Sequence, residues 1–190
     1  MLLLTDDEGA MAVRSARTAI EFAVAKRPKA SLNLTPVFSE KRGVFVTLTK
    51  SGSLRGCIGF PYPVMPLGEA IVHAAGAAAL EDPRFPPVMR DELSAVSIEV
   101  TILTIPETVE GEPEKRPEQV IVGKHGLIVR GIGTSGLLLP QVATDYGWDA
   151  KTFLDQTCMK AGLSGRCWTN KNIEILTFEG QIFSEHTRPA

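Results

Sequence analysis

The chain has least freedom between Gly43 and Phe60. Val44, Val46 and Leu48 alternate with Phe45, Thr47 and Thr49, the period of a strand with one apolar face. Ser51-Gly52 is a turn signal, and Ser53 to Phe60 reads as the returning strand of a hairpin. Strict alternation along that strand puts Arg55 and Cys57 on one face and Leu54, Ile58 and Phe60 on the other, which is the core face. Gly56 and Gly59 bare the backbone between them. Glycines inside a strand mark a bulge or a place where a second backbone or a ligand comes close.

The rest of the chain supplies helices to set against such a sheet. Thr5-Asp6-Asp7-Glu8 has the spacing of a capping box, and Met11, Ala12, Ala16, Ala19, Ile20 and Ala23 form an apolar stripe. This predicts a helix from Thr5 to about Lys26, stopping before Pro28. Leu67 to Leu80 is an alanine-rich helix whose small side chains allow close packing on a sheet. Asp149 caps a third helix, Ala150 to Ala161, with Gly162 as its stop and Cys158 on its apolar side. Val96, Ile98, Val100 and Ile102 alternate within a long strand, Ser94 to Ile105, with Glu99 on the opposite face. Leu127 to Arg130 and Leu137 to Leu139 are short strands about a glycine turn. Ile173 to Phe178 and Gln181 to Phe183 read as a final hairpin, and Pro106 to Pro117 as a linker. Short antiparallel strands mixed with packed helices make the class α+β.

Composition excludes several functions. The 190 residues carry 20 basic and 22 acidic side chains, with no long basic run, so the reading is no nucleic acid partner. No apolar run is long enough to span a membrane, and the N-terminus lacks a signal-peptide pattern. A cytoplasmic protein is expected. Three cysteines without a C-x-x-C pair are a poor disulfide framework and a poor zinc site, so free thiols and no metal are expected.

Candidate chemistry centres on Cys57. A guanidinium beside a thiol favours the thiolate, which is the nucleophile. The same residues also fit a small buried hydrophobe with glycines for tight packing. Glu81 to Pro87 is stiffened by three prolines, and stiff loops can hold functional side chains. Arg84 in that loop either serves a site or pairs with Asp82 beside the preceding helix. Glu99 is either a solvated carboxylate or one lining a cleft. Gly131, Gly133 and Gly136 match G-x-G-x-x-G as letters but lead into a leucine strand, so hairpin chemistry explains them better than a phosphate loop.

Leu54-Arg55-Gly56-Cys57-Ile58-Gly59 resembles the signature of the AMMECR-type domain family. Similar blocks follow in order: Asp82-Pro83-Arg84-Phe85-Pro86-Pro87-Val88, His125-Gly126-Leu127-Ile128, Leu138 to Ala143, Gly147-Trp148-Asp149 and Lys160 to Leu163. Gly43 to Leu48 belongs with them. The resemblance covers nearly the whole chain and implies one AMMECR-type domain over 1–190. It also implies two subdomains with a cleft between them, bordered by the Leu54–Gly59 block. Relatives occur beside Memo-type and radical-SAM proteins, a hint of metabolism by association. The family implies no established reaction, and neither it nor the residues name a cofactor.

Two functions follow. In one, the protein is an enzyme on a small molecule, with Cys57 as nucleophile, Arg55 stabilising its thiolate and His125 as general base. Gly56, Gly59, Arg84 and Gln141 then contact the ligand, Gln141 as a donor to a developing oxyanion. In the other, the protein is a non-catalytic module binding a small molecule or a protein partner through the same cleft. Only the Arg55–Cys57 neighbourhood rests on spacing. The placing of His125 and Gln141 beside them does not.

Overall fold

The computed structural model describes residues 3–27 and 35–185. The described chain divides into two compact units. The first runs to Leu103 and resumes at Gln181, and the second is Thr104–Gly180.

In the first unit, helix α1 spans Asp6–Val24. Its start is the capping box: the Glu8 N–H donates to Thr5 Oγ1 at 3.3 Å, and the Thr5 N–H donates to Glu8 Oε2 at 2.9 Å. Ala12, Ala16, Ala19 and Ile20 are buried, as the stripe predicts. Strands β1 (Val44–Lys50) and β2 (Ser53–Phe60) form the antiparallel hairpin. Helix α2 is Leu67–Leu80, and strand β3, Val96–Leu103, pairs antiparallel with β1. Val44, Val46, Leu48, Ile98, Val100 and Ile102 share one core with the buried alanines of α1 and α2. Residues 30–34 of the expected Ala30–Arg42 loop lie outside the described residues, and Pro36–Ser39 is a short 3-10 turn.

The second unit holds β4 (Glu107–Thr108), α3 (Arg116–Gln119), β5 (Gly126–Gly131) and β6 (Thr134–Leu138). Then come α4 (Pro140–Asp145), α5 (Ala150–Lys160) and β7 (Glu174–Phe178). Its sheet order is β4-β7-β5-β6. The Asp149 cap is present, with the Thr152 N–H donating to Oδ1 at 2.8 Å. The glycine stretch is a hairpin. Gly133 lies at φ 70° in the turn, and a Cβ on Gly136 would lie 2.4 Å from the Ala161 backbone nitrogen. These glycines serve the turn and the approach of α5.

Four expectations need correction. Glu107–Thr108 pairs with β7 and Arg116 opens α3, so the expected linker contributes to the second unit. The chain passes between units at Leu103–Thr104 and again at Gly180–Gln181. The last two strands are not a hairpin. β7 lies in the second unit's sheet, while β8 (Gly180–Ser184) neighbours β3 in the first unit's sheet, order β2-β1-β3-β8. Adjacency in sequence suggested pairing, but each strand has a closer partner in its own sheet.

The third correction concerns the cysteines. Cys158 is buried, as its helical face predicts, but it is bonded to Cys167 across a Cα–Cα distance of 5.8 Å. Gly162 and Arg166, both at positive φ, turn the chain back so that the two meet. Cys57 is the free cysteine.

The fourth lies in β2. Thr47 pairs with Cys57 and Leu48 with Gly56, but Thr49 pairs with Leu54. Arg55 is the extra residue of a bulge. The bulge shifts everything before it by one position, so Leu54 leaves the core face and is 44% exposed.

Candidate functional site

β2 is an edge strand, so its outward backbone groups need partners from elsewhere. At Cys57 they come from the loop after α2. The Cys57 N–H donates to Asp82 Oδ2 at 2.8 Å, and the Cys57 carbonyl accepts from Arg84 Nη2 at 3.2 Å. Asp82 and Arg84 also hold each other, with Nη2 to Oδ2 at 2.7 Å and Nε to Oδ1 at 2.9 Å. An ion pair thus occupies the place a further strand would take. The Asp82 side chain is 2% exposed and that of Arg84 53% exposed. The hydrogen bond from Arg84 holds the Asp82 carboxyl well below the ordinary carboxylate range. Burial opposes this, and the Cys57 and Arg84 backbone N–H groups add to it. Arg84 is raised in turn, chiefly by its hydrogen bond to Asp82. Burial opposes that shift, and the Asp82 charge and Cys57 add to it.

Arg55 has other partners. Its Nη2 donates to Glu92 Oε2 at 2.9 Å, its Nε to Glu92 Oε1 at 3.2 Å and its Nη1 to the Pro86 carbonyl at 2.9 Å. Lys50 joins Glu92 at 2.8 Å. Arg55 therefore fastens the bulge to the 3-10 turn Arg90–Ala95, and the cation that bonds to Cys57 is Arg84. Hydrogen bonds from Arg55, then Lys50 and the Met89 N–H, lower the Glu92 pKa from 4.5 to about 2. The unfolded chain binds that proton more tightly. The stability it contributes is therefore full above about pH 4.5 and is lost as pH falls toward 2. The shift corresponds to at most about 3 kcal/mol, and solvent screening brings it nearer about 1–2 kcal/mol. Urea midpoints measured from pH 5 to pH 2.5 are expected to fall less steeply in Glu92→Gln than in wild type. Parallel slopes would refute the coupling.

The glycines have steric reasons. A Cβ on Gly56 would lie 2.2 Å from the Ala78 carbonyl oxygen, and one on Gly59 would lie 2.4 Å from the Val44 carbonyl oxygen. Of the approaches their bare backbone allows, the structure shows those of α2 and β1.

The thiol itself lies on the face opposite the core. Cys57 Sγ is 3.4 Å from Thr47 Oγ1, and Thr47 is in register with Glu99 on β3. Thiol, hydroxyl and carboxylate thus form one row across three adjacent strands, with neighbouring strands about 4.8 Å apart. Thr49, Ser97 and Thr101 extend this half-buried polar face. The Glu99 carboxylate makes no hydrogen bond or ion pair among the described residues. The row escapes a sequence reading because Thr47 and Cys57 read singly as strand residues. Only the register aligns them with Glu99.

His125 and Gln141 belong to the second unit. His125 Nδ1 accepts from the Ile121 N–H at 3.2 Å, and Gln141 is exposed in the first turn of α4.

The AMMECR1 family pattern matches residues 13–183. The chain belongs to the AMMECR1 family. A Methanosarcina mazei protein is 53% identical to this AMMECR1 chain, covering 96% of it and 94% of the relative. A Pyrococcus furiosus protein is 46% identical, covering 97% and 91%. The crystal structure of an uncharacterized Pyrococcus horikoshii protein superposes with a TM-score of 0.83 at 45% identity, covering 96% of this chain and 94% of that one. The α+β class holds. Among the described residues, no helix is long and apolar enough to cross a membrane.

Proposed function

We propose that this AMMECR1 chain is an enzyme acting on a small polar molecule, with the Cys57 thiol as its nucleophile. The observation that carries the reading is the pinned Arg84. A guanidinium fixed by a buried carboxylate sits on the residue that bears the free thiol, beside a half-buried polar row. A fixed cation stabilises a thiolate. In the reaction, the sulfur electron pair forms a bond to an electrophilic carbon. The bond to the leaving group breaks with its electrons, and the leaving group takes the proton the thiol gave up. Thr47 orients the sulfur, and Glu99 gives the row a second polar end for a substrate hydroxyl or amine.

A second reading is a binding module on the same face. It is favoured by one observation: Asp82 and Arg84 satisfy the Cys57 backbone whether or not the sulfur reacts.

Iodoacetamide labelling at pH 7 separates the two. Cys57 in the native protein is expected to react faster than in the urea-unfolded chain. Arg84→Met is expected to slow native labelling about threefold to fivefold, since it removes the fixed cation held on the Cys57 carbonyl. Arg55→Met is expected to change it less than about twofold, because Arg55 is committed to Glu92. Native labelling no faster than unfolded, or indifferent to Arg84, would leave the binding module as the better account.

A further inference from the structure

The second unit buries a cation without a counter-ion. Arg116 is 6% exposed, yet it forms no ion pair among the described residues. Its Nη1 donates to the Trp168 carbonyl at 2.5 Å and the Asn170 carbonyl at 3.2 Å. Nε is buried with no partner, and no hydrogen bond from Nη2 is made to the described residues. Burial lowers the Arg116 pKa, and the charge of Glu114 partly offsets that. A buried guanidinium normally has a carboxylate or phosphate beside it, because desolvating the charge costs several kcal/mol. The unpartnered N–H groups here are Nε and Nη2, which lie along one edge of the planar group. That edge is the fork that grips an oxyanion through two parallel hydrogen bonds.

Arg116 lines a cavity of about 330 Å³ in the same unit, with Thr108, Glu110, Gly111, Lys171 and Asn172 among its walls. Lys171 reaches Glu112 at 3.3 Å, but both side chains are largely exposed. Such a surface pair is weak and exchanges its partner readily. Two acids also line the cavity. Glu174 is engaged by Arg130 at 3.4 Å and Thr108 at 3.4 Å. Glu110 is exposed, and its carboxylate makes no ion pair with Arg116. These acids disfavour a highly charged ligand and suit a single anionic group on a larger polar molecule.

We infer that this cavity binds the oxyanion group, carboxylate or phosphate, of a small molecule. Arg116 is its fixed cation and Lys171 its mobile one. Trp168 and Asn170 hold the guanidinium through main-chain carbonyls, which leaves Nη2 for the ligand, with Nε closed to solvent beside it. The site lies wholly within Thr104–Gly180 and does not depend on chemistry at Cys57.

Thermal unfolding and calorimetric titration of the full chain test this, with sodium phosphate and sodium acetate as probes and sodium chloride at matched ionic strength as the control. Binding in the millimolar range is expected for at least one probe. The probe that binds tells a phosphate ligand from a carboxylate one. Lys171→Met removes an exposed side chain, so it folds, and it is expected to weaken binding about tenfold. Arg116→Lys keeps the charge but loses the planar group that Trp168 and Asn170 hold in place, and is expected to weaken it further. If that variant fails to fold, Lys171→Met decides alone. No binding beyond chloride, or binding unchanged by Lys171→Met, would overturn the inference.

Discussion

Gly56→Ala is expected to destabilise the protein by about 3 kcal/mol or more, although it adds one methyl group. The added Cβ would lie 2.2 Å from the Ala78 carbonyl oxygen and 3.2 Å from its carbon. Both are main-chain atoms of α2, so no side chain can rotate away. Either the helix or β2 must move, and both carry the first unit's core. Gly76→Ala is the matched control. Its Cβ would meet only the Ala23 Cβ, at 3.8 Å, within a helix that favours alanine over glycine. That change is expected to be neutral or to stabilise by up to about 1 kcal/mol. Urea midpoints of the two variants check the contrast. A Gly56→Ala protein as stable as wild type would show that close approach is not the reason for the glycine. The ligand role expected for it would then return.

Loss of the Cys158–Cys167 bond is the second large effect. The bond closes a loop with a sequence separation of 9. In the chain-entropy account a loop of that size contributes about 2.5 kcal/mol. The cysteines also hold the turn that presents the Trp168 carbonyl to Arg116, so the double change Cys158→Ser, Cys167→Ser is expected to loosen that turn as well. Mass spectrometry gives the direct check. Unfolded, unreduced protein is expected to take one alkyl group, on Cys57, and reduced protein three. Three without reduction would mean the bond does not form. Thermal unfolding with and without reductant then measures its contribution.

Part of the candidate site was legible in the residues. Cys57 was singled out because a thiol stood between two glycines in an alternating strand, and Cys57 is the free cysteine. Arg84 was legible as a residue that either serves a site or pairs with Asp82. The pairing is present, and it also fastens the Cys57 backbone. The partner assigned to the thiol was Arg55, because strict alternation places i and i+2 on one face. A one-residue bulge between Leu48 and Thr49 interrupts that alternation, and Arg55 bonds to Glu92 and the Pro86 carbonyl. The bulge leaves no mark in the hydrophobic pattern, since the residues before it are exposed.

What the sequence by itself determined is local. The capping residues Thr5 and Asp149 start their helices through hydrogen bonds that span three residues. The period-two alternation of β1 and β3 selects which residues are buried, because one-residue slippage would expose all of them. The tertiary structure decided what depends on partners far apart in the chain. It sent β7 and β8 to different sheets, brought Cys158 to Cys167, aligned Cys57 and Thr47 with Glu99, and left Arg116 buried with no ion pair among the described residues. Each of these rests on which surfaces approach once the cores form. A pattern confined to neighbouring residues carries the periodicity of an element but not the identity of the element it will meet.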